Sequence, residues 1–192
     1  MKEVCVYCAS STSIDDKYIK VAEELAEELV KADYGVVYGG GEVGLMGTLA
    51  NRILELKGEI KGVIPNFMVD VEWAHKGVEK MIKVDSMSER KSRLIEGVSA
   101  VIALPGSTGT LDELADVISL KKLGLFTKPV IIVNSFGFYD SLFTLFHKMI
   151  EEKFMRPEHG QLWTEVTDVR DIVKAISTAP KWDKSAINIA AV

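Results

Sequence analysis

The chain has 192 residues, of which 47% are hydrophobic and 27% charged, enough for one well-buried core and too few for two ordinary domains. A net charge of -5 and a pI near 5.3 argue against a nucleic-acid polymer as partner, which calls for a basic face, but leave room for a small phosphorylated ligand that needs only a local positive site. No apolar run reaches the roughly 18 residues of a membrane span, and the opening MKEVCVYCAS lacks the basic-then-apolar pattern of a secretory signal, so the expectation is a cytoplasmic protein with no membrane partner.

Glu3 to Cys8 reads as a strand and Ala9 to Ser13 as a small polar loop, from which Ser13 can cap the next helix. In that strand Cys5 and Cys8 point to opposite faces roughly 10 Å apart, so the Cys-x-x-Cys spacing is read as two buried, reduced thiols, neither a disulfide nor a shared metal site. From Ile14 the positions Ile14, Tyr18, Val21, Ala22, Leu25, Ala26, Leu29 and Val30 keep helical spacing, with Glu23, Glu24, Glu27 and Glu28 on a solvated face. Tyr34 to Tyr38 is a second strand. It runs into Gly39-Gly40-Gly41-Glu42-Val43-Gly44, which spells the dinucleotide fingerprint G-x-G-x-x-G. The fingerprint follows the second strand, however, and the next strand, Glu59 to Ile64, ends in Pro65 and Asn66 where a nicotinamide site needs a ribose-binding acid. These glycines are instead read as bringing the backbone close to another ligand and seating the helix Leu45 to Leu56 near the sheet.

Pro65 to Gly77 is long for a connection without periodicity, and such loops are often functional. Its lone His75 is read as structural. Lys80 to Val84 is a strand and Met87 to Val98 a helix with Met87, Leu94, Ile95 and Val98 inward. Arg90 and Lys91 lie at or within its apolar stripe and so leave from the side facing the sheet, or snorkel along the surface. Val101 to Leu104 is a buried strand, Pro105 ends it, Gly106, Ser107, Thr108 and Gly109 turn, and Thr110 opens a helix burying Leu111, Leu114, Ala115 and Ile118. Unpaired N–H groups and the helix dipole make this junction suited to a phosphate; equally, Thr110 can be a simple cap with Asp112 and Glu113 complementing the dipole. Pro129 to Asn134 is a strand, Phe138 to Met149 a helix apolar enough for core plus a homodimer contact, and Thr167 caps a last helix, Val169 to Ile176. No pattern is readable after Pro180.

Strands alternating with helices and nearly all-apolar strand cores predict an α/β, Rossmann-like doubly wound parallel sheet with helices on both faces. It forms a single nucleotide-binding domain over 1–178, with 179–192 a C-terminal tail. Ligands bind such sheets at the carboxyl ends of the strands. The Ser10 region, Gly39 to Gly44 and Pro105 to Thr110 therefore converge on one rim, with Arg90 and Lys91 approaching from the preceding helix.

Three motifs in order, Gly39-Gly40-Gly41-x-x-Gly44-Leu45-Met46-Gly47, Ser86-Met87-Ser88-Glu89-Arg90-Lys91 and Pro105-Gly106-Ser107-Thr108-Gly109-Thr110-Leu111-Asp112-Glu113, resemble the LOG (Lonely Guy) family. The resemblance runs from the first strand to about Ile150. Its members are cytokinin riboside 5′-monophosphate phosphoribohydrolases, long mislabelled as lysine decarboxylases. The resemblance implies a homodimer that hydrolyses the N-glycosidic bond of an adenine-type nucleoside monophosphate, AMP nucleosidase-like, with no cofactor and no metal. Carried over by position, it implies catalytic roles for Arg90 and Glu113. It also implies substrate contacts from Glu72, Lys91, Ser119, Ser10, Gly40, Gly41 and the phosphate loop Gly106, Ser107, Thr108, Gly109 and Thr110. The family's second motif glycine is Ser107 here, tolerable only without positive φ, and a histidine of its M-H-x-R-K is Ser88. A non-catalytic carrier like the molybdenum cofactor carrier proteins is the alternative. No lysine stands out for a pyridoxal-phosphate Schiff base.

Overall fold

Seven parallel strands form one sheet in a computed structural model, whose described residues are 1–69 and 73–190. They are β1 (Lys2–Tyr7), β2 (Tyr34–Tyr38), β3 (Ile60–Pro65), β4 (Lys80–Val84), β5 (Ala100–Ala103), β6 (Val130–Val133) and β7 (Thr164–Val166). Their order is β4-β3-β2-β1-β5-β6-β7. β1 is central because its residues are apolar on both faces: Val4 and Val6 join one core cluster, Cys5 and Tyr7 the other. The two cysteines are free and buried, Cys8 on the side opposite Cys5.

Helices α1 (Asp16–Lys31), α2 (Gly44–Glu55) and α7 (Ile172–Thr178) cover the first face through Val21, Leu25, Leu45, Leu49 and Ile172. α4 (Met87–Ile95), α5 (Thr108–Lys122) and α6 (Asp140–Glu151) cover the second through Leu94, Leu114, Val117 and Phe143. A single turn, α3 (Asn66–Val69), follows β3 inside the stretch that reads as irregular. The chain runs β1 to β4 outward on one side and β5 to β7 outward on the other, so the topological switch point lies between β1 and β5.

Local chemistry moved several boundaries. Asp15, not Ser13, caps α1, its carboxylate accepting from the Lys17 N–H at 2.9 Å. α5 opens at Thr108 rather than Thr110, and it buries Thr110, Glu113, Val117 and Lys121 while Leu111 and Ala115 face out. Asp168, not Thr167, caps the 3-10 turn Val169–Asp171 that leads into α7. β7 is too short for a period-two pattern and is not legible in the sequence. The tail forms a 3-10 helix, Lys184–Ile189, and Trp182 Nε1–H donates to the Lys121 carbonyl at 2.6 Å. Among the described residues no helix is long and apolar enough to cross a membrane.

Candidate active site

At the carboxyl rim beside the switch point, the loops after β1, β2, β3 and β5 enclose a cavity of about 290 Å³. Its floor is an ion pair. Arg90, on the second turn of α4, reaches Glu113, on the second turn of α5, with Nη1 2.5 Å from Oε1, and both side chains are only 6% exposed. Two backbone carbonyls fix the guanidinium: Nε donates to Val63 O at 3.0 Å and Nη2 to Gly39 O at 3.1 Å. Three of the five N–H groups of an arginine are thus spent on the protein. Only glycine fits at position 39, because a Cβ there would lie 2.3 Å from Arg90 Nη2. Among the described residues Glu113 Oε2 has no hydrogen-bond partner, and the carboxyl lines the cavity. Burial pushes the Glu113 carboxyl above its ordinary value, and Arg90 offsets only part of that.

One wall is the start of α5, with Ser107, Gly109 and Thr110 on the cavity. Ser107 sits at the N-cap but its side chain bonds to no first-turn N–H, so those groups and the dipole remain for an anion. Its φ is -89°, ordinary for an L-residue, so a serine is accommodated where the family has glycine. Gly106 is needed for a different reason: a Cβ would meet Thr110 Oγ1 at 2.1 Å.

The opposite wall is apolar: Val43, Met46, Ile64, Met68, Trp73 and Met87, with Cys8 beneath. Burial holds the Cys8 thiol far above its ordinary value, hence protonated and unreactive. His75 does not line the cavity. It is 7% exposed and hydrogen-bonded through both ring nitrogens, as a structural histidine would be.

Of the residues singled out in the sequence, the structure brings Ser10, Gly41, Arg90, Ser107, Gly109, Thr110 and Glu113 onto one cavity. Gly40, Gly106 and Thr108 belong to the same loops without lining it. Two fall elsewhere. Lys91 turns from the cavity to Asp112 (3.2 Å) and Asp116 (3.4 Å) on α5, and Ser119 lies in a groove between α5 and α6 with Phe146, Met149 and Trp163. Glu72 lies outside the described residues. The apolar wall was missed, although a signal exists. Met46 and Met87 stand in the first turns of helices that follow parallel strands, and those turns lie at the ligand rim.

Residues 46–176 match the family model described as "Possible lysine decarboxylase". Cytokinin riboside 5′-monophosphate phosphoribohydrolase LOG5 of Arabidopsis thaliana is 35% identical over 175 residues, 91% of this chain and 77% of that protein. LOG1 of the same plant is 35% identical over 186 residues, 96% and 87% of the two chains. Among solved structures, the structural-genomics target TM1055 shares the fold with a TM-score of 0.71 at 22% identity, over 92% of this chain and 99% of its own. The molybdenum cofactor carrier protein of Chlamydomonas reinhardtii does so with 0.69 at 17%, over 93% and 97%. At those identities the structural likeness speaks for the fold alone. The sequence matches go further: the chain belongs to the LOG family of cytokinin riboside 5′-monophosphate phosphoribohydrolases.

Proposed function

We propose that this protein hydrolyses the N-glycosidic bond of an adenine-type nucleoside 5′-monophosphate, releasing the free base and ribose 5-phosphate. The buried Arg90–Glu113 pair on the cavity floor carries this reading, since a mere phosphate binder has no use for a carboxylate there. The first turn of α5 takes the phosphate, the floor faces the sugar and the methionine and tryptophan wall takes the base. Cleavage proceeds through an oxocarbenium-like transition state in which positive charge develops at the anomeric carbon. Glu113, as carboxylate, stabilises that charge or orients the attacking water, and Arg90 keeps it ionised and aimed. The bond from the anomeric carbon to the base nitrogen breaks as the bond to water oxygen forms; water supplies the proton the departing base needs. Among the described residues no lysine lines the cavity, which speaks against Schiff-base chemistry.

The test is product analysis with AMP and isopentenyl-AMP. Wild type is expected to release free base, and Glu113→Gln to lower kcat by about 10² or more. Binding of AMP without turnover in the wild type would refute hydrolysis and favour a non-catalytic carrier.

We also infer that two copies pair through the α5–α6 face. α6 buries only Phe143, while Leu145 (48%) and the following Phe154 (75%) stay exposed beside the groove holding Ser119. Light scattering should find a dimer that Leu145→Glu dissociates; a monomeric wild type would refute the pairing.

A further inference from the structure

One part of the apolar wall is held by a segment that belongs to no strand or helix. Residues 73–77 lie antiparallel on the glycine loop: Glu42 N–H donates to Trp73 O at 3.1 Å, Ala74 bridges Gly41, and His75 N–H donates to Gly40 O at 2.9 Å. Trp73 N–H in turn donates to Met68 O at 3.1 Å, so the two residues of this wall that lie between β3 and β4 are tied together. What anchors the segment from behind is the His75 ring. Gly77 N–H donates to Nδ1 at 3.1 Å, which leaves the ring proton on Nε2, and Nε2 then donates to Asn51 Oδ1 of α2, also at 3.1 Å. The fit is close, since a Cβ on Gly77 would lie 3.2 Å from His75 Cε1 and 3.4 Å from Leu54.

We propose that His75 is a positioning residue for substrate binding: neutral, with its proton on Nε2, it rivets Trp73 and Met68 against the cavity, and as a cation it cannot accept from Gly77 and releases them. The charged group acting on the ring from the packed elements is Glu42 of the glycine loop, which favours the cation; burial of the ring between Gly77 and the neutral Asn51 of α2 disfavours it more. The wall faces the base and not the glycosidic carbon, so His75 should act on binding shared by ground and transition states.

The turnover part of the test rests on the hydrolase reading; the exchange part does not. In amide hydrogen exchange, His75→Ala should lose protection at Glu42, His75 and Gly77 while the amides of β1, β2 and β5 keep theirs. His75→Asn, which can offer an acceptor near the Nδ1 position and cannot titrate, should retain it. In turnover, His75→Ala should raise KM for AMP about tenfold with kcat changed less than about twofold. Wild-type KM should rise as pH falls below 6.5, a rise His75→Asn lacks. Unchanged exchange at the three amides in His75→Ala, or a fall in kcat with KM unaltered, overturns the proposal. Should His75→Ala not fold, loss of protection in wild type below 6.5 against its retention in His75→Asn decides the matter. Should wild type release no base, the hydrolase reading fails alone and exchange still decides the role of His75.

Discussion

Arg90 donates to a carbonyl after β2, a carbonyl of β3 and the carboxylate of α5, so one side chain joins three elements. Removing either partner of such a buried pair leaves an uncompensated charge and costs about 3–5 kcal/mol. Arg90→Ala is therefore expected to lower stability as well as activity. The double variant Arg90→Met/Glu113→Leu should be more stable to denaturant than either Arg90→Ala or Glu113→Leu, yet release no base. In the proposed mechanism the Glu113 carboxylate is required, and burial raises the pKa of that group, so the acid limb of kcat should lie above 4.5 in a pH–rate profile. The convergence of Arg90 and the turn before α5 on one rim was legible in the sequence, and the family resemblance added Glu113 to it. Which glycine tolerates no side chain was not legible. Gly39 is forced by a guanidinium arriving from 51 residues away, a fact of tertiary geometry and not of the glycine run itself.

α5 brings to one cavity both groups that the proposed reaction uses, its first turn for the phosphate and, one turn later, the Glu113 carboxyl. Because Ser107 has φ of -89° and makes no capping bond, restoring the family's glycine should leave KM for AMP within about twofold while lowering unfolding free energy by roughly 0.4–1 kcal/mol through added chain entropy. The helix also shows why periodicity reads some elements better than others. α1 has a clean apolar stripe: Val21, Ala22, Leu25, Ala26 and Leu29 are buried as the sequence pattern predicts, and Tyr18 and Val30 at its ends are half-buried. On α5 the inward face includes Thr110, Glu113 and Lys121 beside Leu114, Val117 and Ile118, so hydrophobic spacing places Leu114 and Ile118 correctly and misplaces Leu111 and Ala115, which face out. Polar groups inside the sheet-facing stripe blur the signal where the helix meets the cavity.

Across the whole molecule, alternating strands and helices made the doubly wound sheet legible, because parallel strands buried on both faces read as short apolar runs. The surface beside the α5–α6 groove shows the limit: its exposed Leu145 and Phe154 look in sequence like core. The molecule also buries a charge at a cost to its stability. Lys121 is 1% exposed, and burial lowers its ammonium to about 8. In the unfolded chain the amine stays protonated up to 10.5, so the penalty is full below about 8 and fades as pH rises to 10.5. Lys121→Met should therefore raise the midpoint of thermal unfolding most near neutral pH, with the advantage shrinking in alkaline buffer. Finally, α4 leads directly into β5 through Gly97, whose φ is +72° and around which a side chain would meet nothing within 4 Å. That turn separates Arg90 from Glu113 in the chain and coincides with the passage from one half of the sheet to the other. A backbone cut there would place the two charges on different polypeptides, each half inert alone, so that base release from the mixed fragments would report their reassembly.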